Sequence, residues 1–179
     1  FTNIDWQKSS EIDFIDVTIT GASRIGDPGD AFAAMEKVND KAVLGVSAEA
    51  VGVLETLLQK TVEYSKTRKQ FGTVIGTFQA LQHRMADMFI ECQLARSIVV
   101  MAAMKLDSSA DQREKTKAVS AAKSRVGKAI RRVSQEAVQI HGGIGVTNEL
   151  DVGHYFKRAT ALEIMFGNTD YHVERFASL

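Results

Sequence analysis

The chain reads as an all-α protein, an antiparallel four-helix-type bundle with a short β-like segment at its start, and three observations predict it. Apolar residues recur at alternating spacings of three and four along three long stretches, the pattern of helices that bury one face. Proline occurs once in 179 residues and aromatics make up 7%, which suits long helices better than a many-turned β fold. The connections between the stretches are short, so consecutive helices run antiparallel.

Phe1 to Arg24 differs in texture from the rest. Residues 11–20, EIDFIDVTIT, read as extended chain, with Ile12 and Phe14 on one face and Ile15, Val17 and Ile19 on another. That change of phase marks a bulge or a break, and a ribbon this short is marginal alone. Helical periodicity begins at Asp30 and runs to about Thr67. One stripe holds Val43, Val46, Ala50, Val53 and Leu57, and a second holds Leu44, Ser47, Val51, Leu54 and Leu58, so this helix meets more than one neighbour.

Between Tyr64 and Met88 the first helix stops and a second starts. Gly72 and Gly76 permit a tight connection, and Thr77 is the expected N-cap of a helix carrying Phe78 and Gln79. The second helix runs from Thr77 to about Leu106 with Phe78, Leu81, Met85, Met88, Cys92, Ala95, Val99, Ala102 and Leu106 on one seam. Asp107–Ala110 interrupts the pattern. A third helix, about Asp111 to Ile140, buries Val119, Ala122, Val126, Ala129, Val133, Ala137 and Ile140 and carries Lys123, Arg125, Lys128, Arg131 and Arg132, which read as a solvated or salt-bridged face.

Composition excludes several classes. Lys plus Arg equals Asp plus Glu at 22 each, so no net field favours nucleic acid or an anionic membrane. Cys92 is the only cysteine, which rules out an internal disulfide and fits a small buried apolar residue in a reducing compartment. No run approaches the roughly 18 to 20 apolar residues of a spanning helix. The Glu-x-x-His pairs of iron–carboxylate bundles are missing, and His83, His141, His154 and His172 read as structural or surface residues, so no metal is expected. The sequence lacks an initiator Met and reads as part of a longer polypeptide.

Two local motifs carry chemistry. YSKTRKQFGTVIGTFQALQHRMADM, residues 64–88, places Arg68, Gln70 and Gln79 near one corner. A lone Arg beside a turn is ordinarily a solvated residue, but an Arg fork also suits a pyrophosphate. About 60 residues on, QIHGGIG at 139–145 ends the third helix. A left-handed cap accounts for one or two of its glycines, and the third suggests a close approach to a cofactor or a neighbouring subunit.

These motifs, with the following VTNELDVGHYFKRATALEIMFGNTDYHVERFA, resemble the two ordered signatures of the acyl-CoA dehydrogenase family over roughly residues 10–179. The resemblance implies that residues 1–28 are the end of a middle β domain and its linker, and 29–179 the C-terminal helical domain. It implies FAD as cofactor, contacted by Arg68, Lys69, Gln70, Phe78, Gln79, Gln139, His141, Gly142, Gly143, Asn168, Thr169 and Asp170, with the Arg reaching across a subunit interface. Asp40, Lys41 and Gly167 fall at positions that contact the acyl-CoA substrate.

One departure matters. Many relatives carry the α-proton-abstracting Glu immediately before the Gly that corresponds to Gly167, and here Phe166 stands there. Others place the base near the position of Ala42. The carboxylates left as candidates are Glu163, Asp170 and Asp40. The expected activity is FAD-dependent α,β-dehydrogenation of an acyl-CoA thioester. The alternatives are a non-catalytic subunit of a hetero-oligomeric dehydrogenase, or an acyl-CoA oxidase. Expected partners are further copies in a homodimer or homotetramer, or a paralogous subunit, and an electron-transfer flavoprotein, in a bacterial cytoplasm or a mitochondrial matrix.

Overall fold

The computed structural model describes every residue except Asp30. The expected start of the first helix falls on that residue and lies outside the described residues. The elements are α1 (Ala31–Thr67), a two-strand hairpin of β1 (Lys69–Gln70) and β2 (Thr73–Val74), α2 (Gln79–Asp107), α3 (Gln112–His141), α4 (Val152–Ile164) and α5 (Thr169–Ser178). Short 3-10 turns at Ile75–Thr77 and Gly142–Val146 join them. α3 lies at the centre and packs on α1, α2, α4 and α5.

The core is the one the periodicity foretells. Ala50, Val53, Leu54 and Leu57 of α1 meet Met88, Cys92, Ala95 and Val99 of α2 and Val126, Ala129, Ile130, Val133 and Ala137 of α3. α4 closes the base with Val152, Ala159 and Leu162. Alanines line much of the α2 and α3 seams, which lets helix axes approach closely, while each fully buried Leu contributes about 1.5–3 kcal/mol of burial. Burial among these side chains pushes the Cys92 thiol up to about 12, so it serves as an apolar filler.

Four expectations change. Thr77 does not cap α2, because its hydroxyl turns back to donate to the Val74 carbonyl at 2.7 Å, and Phe78 occupies the N-cap position with no side-chain bond. Residues 11–20 are exposed and form no ladder; the pairing in this region is a single bridge between Thr2 and Lys8. By average composition α1 does contain an 18-residue window, of mean hydropathy 1.4, long and apolar enough to span a membrane. Its stripes are instead spent on α2, α3 and α4. The basic face of α3 is not uniform: Arg125, Arg131 and Arg132 are salt-bridged to Glu91, Glu163 and Asp87, but Lys123 is only 2% exposed.

Candidate functional site

The α1–α2 connection is built by a reversal at Gln70–Thr73. Phe71 (φ 56°) and Gly72 (φ 82°) occupy the two central positions, and two successive positive φ values make the turn whose twist matches an antiparallel hairpin. The cost of placing Phe71 there is borne at a tip that leaves its ring 90% exposed, edge-on to Phe78 at 6.1 Å. Arg68, Lys69, Gln70 and Gln79 are exposed around this hairpin, and Arg68 pairs with no carboxylate among the described residues.

The glycine motif comes to the same end of the bundle. His141 stacks on Tyr64 with ring centroids 4.3 Å apart, and the Tyr64 hydroxyl donates to the His141 carbonyl at 3.4 Å. Gly142 (φ 66°) ends α3 in the left-handed region. A Cβ at Gly142 or Gly143 would meet nothing within 4 Å, so this main chain lies open beside the exposed Gln139. Gly145 differs from expectation: its close approach is to its own helix, where a Cβ would fall 2.9 Å from the His141 Cβ and 3.0 Å from the Val138 carbonyl. The His141 side chain is likewise committed inward. Its Nδ1 lies 2.7 Å from the Ala137 carbonyl, and burial holds the ring below its ordinary pKa. At this position only the backbone is open to a ligand.

The third group lies elsewhere. α5 begins against the middle of α3, where a Cβ on Gly127 would fall 2.3 Å from the Thr169 hydroxyl. Fourteen residues of helix separate Gly127 from His141, about 20 Å along the axis at 1.5 Å per residue. Asn168 caps α5 through its side-chain oxygen, and Asp170 borders a hollow of about 310 Å3 with Lys128, Arg131 and Arg132. Thr169 is buried, its amide and hydroxyl both donating to Glu163 at 3.2 and 3.0 Å, so its side chain is unavailable to a ligand.

The candidate bases fare unequally. Asp40 is fully buried, accepting from Arg175 at 2.7 Å, Thr116 at 2.7 Å and Gln112 at 3.2 Å, so its carboxylate is occupied by structural partners rather than open as the expected substrate contact or base would be. Glu163 faces α3 and is occupied by Thr169 and by Arg131 at 3.1 Å. Asp170 alone is exposed. Phe166 sits at φ 56° with 45% exposure, and its N–H meets no acceptor among the described residues. Lys41 is exposed and shares a hollow of about 430 Å3 with Lys37 and Lys115.

Sequence reasoning missed the interior that holds these pieces. Lys123 donates to the carbonyls of Leu162 and Glu163 at 2.9 and 2.7 Å, and His172 reaches the Phe166 carbonyl at 3.0 Å. The signal available was Lys123 itself, which lies four residues after Val119 and three before Val126, on the buried stripe of α3.

Comparison with known proteins decides the family. The family model described as acyl-CoA dehydrogenase, C-terminal domain, matches residues 32–178. The chain belongs to the acyl-CoA dehydrogenase family. A probable acyl-CoA dehydrogenase, YngJ, of Bacillus subtilis is 35% identical over 162 residues, covering 90% of this chain and 42% of the relative. Among solved structures, butyryl-CoA dehydrogenase from Megasphaera elsdenii superposes with a TM-score of 0.87 at 32% identity, over 92% of this chain and 42% of that one. PigA, solved with FAD and proline, gives 0.86 at 29% over the same shares. The ChsE4–ChsE5 complex of Mycobacterium tuberculosis gives 0.79 at 31%, over 89% and 42%. This acyl-CoA dehydrogenase domain thus spans about two fifths of the length of the relatives it matches.

Proposed function

We propose that the protein containing this chain performs FAD-dependent α,β-dehydrogenation of an acyl-CoA thioester, with residues 29–179 as its C-terminal flavin-binding and oligomerisation domain and 1–28 as the end of a preceding β domain. The observation that carries this reading is the Tyr64–His141 stack. It joins the two signatures at one end of the bundle and leaves Arg68, Gln70, Gln79, Gln139 and the Gly142–Gly143 main chain facing solvent. That donor set fits FAD. The Arg68 fork suits the pyrophosphate, the amide side chains suit ribose and adenine edges, and bare glycine backbone admits a close, flat ligand.

When bound, FAD supplies the hydride acceptor for the substrate β-hydrogen. The chain's own part is polarity and placement. The Phe166 N–H, which meets no acceptor among the described residues, is a main-chain donor at the position where a thioester carbonyl is expected, and a donor there acidifies the α-carbon as an oxyanion hole does. Lys41, with Lys37 and Lys115, offers positive charge to CoA phosphates. The two groups of proposed flavin residues lie about 20 Å apart in one chain, and since the family resemblance implies that Arg68 reaches across a subunit interface, a second subunit is proposed to complete each site. The exposed apolar side chains of α2, Phe89, Ile90, Val100, Met101 and Met104, supply surface for such assembly. An electron-transfer flavoprotein is the proposed acceptor, and a bacterial cytoplasm or mitochondrial matrix the proposed location.

Phe166 favours a second reading, in which this is the flavin-binding but non-abstracting subunit of a hetero-oligomer whose partner carries the Glu. A test common to both readings is Arg68→Ala in the full-length protein. FAD affinity should fall about tenfold or more, as befits a charge-assisted pair worth about 1.5–3 kcal/mol. Unchanged affinity in a folded variant would remove the hairpin from the flavin site.

A further inference from the structure

The turn between α4 and α5 is clamped from beneath by buried groups that the signatures do not explain. Phe166 and Gly167, at φ 56° and 102°, are two successive left-handed residues, and a bulky side chain adopts that conformation only where its surroundings hold it. α4 ends at Ile164, and its last carbonyls have no partner within the helix. Lys123 supplies one from α3, donating to Leu162 and Glu163. The Glu163 carboxylate then reaches the other way to the first amide of α5.

His172, one turn into α5, closes the frame. A carbonyl can only accept, so the 3.0 Å contact to the Phe166 oxygen places the proton on Nε2. Nδ1 is then a bare acceptor in the neutral ring. Ser120 lies 3.4 Å from it, and since a bare Nδ1 can only accept, the Ser120 hydroxyl donates to the ring while its oxygen accepts from Arg175 at 3.5 Å. Arg175 is fixed in turn by Asp40. The consequence is geometric. The peptide joining Met165 to Phe166 carries the free N–H, and the peptides on either side are both pinned: Met165 N–H to the Ala161 carbonyl at 3.1 Å, and the Phe166–Gly167 unit by His172 at one end and by Ile164 at the other, where Gly167 N–H donates at 3.2 Å. Tyr171 packs so closely over Gly167 that a Cβ there would lie 2.3 Å from its ring.

We propose that His172 is a positioning residue that sets the orientation of the Phe166 N–H toward an acyl thioester, with Lys123 anchoring the helix end on which the turn is built. The identity of the ligand rests on the acyl-CoA reading above; the clamping of the turn does not. The experiment uses the full-length protein with His172→Leu, which keeps bulk and loses the donor, and His172→Gln, which restores an N–H at similar reach. Two quantities are read: hydrogen exchange of the Gly167 amide, and the infrared carbonyl stretch of butyryl-CoA labelled with 13C at the thioester.

In His172→Leu the Gly167 amide should exchange roughly five- to tenfold faster, the equivalent of one lost hydrogen bond, and the bound carbonyl stretch should return toward its solution value. His172→Gln should keep both wild-type signatures. Wild-type behaviour of His172→Leu, or failure of His172→Gln to rescue a folded protein, would overturn the proposal. If butyryl-CoA shows no shifted stretch even with wild type, the acyl-CoA reading is what fails, and Gly167 exchange decides the clamp alone. Should His172→Leu not fold, Ser120→Ala, which frees Nδ1, is expected to loosen the same amide, and an unchanged exchange rate there would be the contrary result.

Discussion

At the scale of single residues, the buried polar groups set both the geometry of the turn and its sensitivity to acid. His172 is faced by Lys123 and Arg175, which disfavour its protonation, and by Asp40, which favours it; Ser120 and Tyr171 complete its surroundings. His141 is faced by Lys60, Asp151 and Tyr64. Burial is the largest cause in both and holds both imidazoles below the ordinary value of 6.5. An unfolded chain therefore takes up these protons first as pH falls. The two histidines' contribution to stability should be full above about 6.5 and should decline below it toward the depressed folded values, and the decline should shrink in a His172→Gln variant. A denaturation midpoint that stays flat from neutral pH down through this window would contradict the assignment. Burial also lowers Lys123 to about 8, and since a neutral amine keeps two N–H donors, both carbonyl bonds survive its deprotonation. Little of this was read beforehand: Lys123 lies four residues after Val119 and three before Val126, on the apolar stripe, but its charge assigned it to the solvated face, and the burial of His172 depends on helices meeting that periodicity does not bring together.

Among the elements, legibility followed the length of the pattern. The three long helices were readable to within a residue or two, since 30 or so residues of regular spacing outweigh any local ambiguity. Asp111 also caps α3 as a start signal should, accepting from the Glu114 amide at 2.8 Å. Boundaries set by tertiary contact were not readable. Thr77 has the right chemistry for a cap, but the 3-10 turn at Ile75–Thr77 takes its hydroxyl and passes the N-cap position to Phe78. The α3–α5 contact at Gly127 was also hidden, because a single glycine inside a helical stretch carries no direction. Gly127→Ala should push Thr169 from Glu163 and cost about 1–3 kcal/mol, read as a lower denaturant midpoint at unchanged slope. A midpoint equal to wild type would mean that α5 docks less tightly than the 2.3 Å approach requires.

Across the whole molecule, the signatures named the residues proposed to hold flavin but not how far apart the fold sets them. Residues 64–79 and 139–143 converge through Tyr64 and His141, while Asn168 and Asp170 sit farther along α3. The motif match implied that Arg68 reaches across a subunit interface, but spacing in sequence gave no measure of how far Asn168 and Asp170 lie from it. The family is secure, and the absence of a carboxylate at Phe166 is the feature that most limits what one subunit can do. Glu163 and Asp40 are both occupied by structural partners, so under the proposed dehydrogenation a base is sought in Asp170, in the remainder of the protein or in a partner subunit. The decisive measurement is anaerobic mixing of the full-length, FAD-loaded protein with butyryl-CoA, following loss of the oxidised flavin's visible band in wild type and in Phe166→Glu. The wild-type subunit alone should react slowly, and Phe166→Glu should accelerate the reaction by about 100-fold or more, the usual worth of a positioned base. Fast bleaching by wild type alone, with no gain from the added carboxylate, would show that this subunit already holds its base and that the site has been misread.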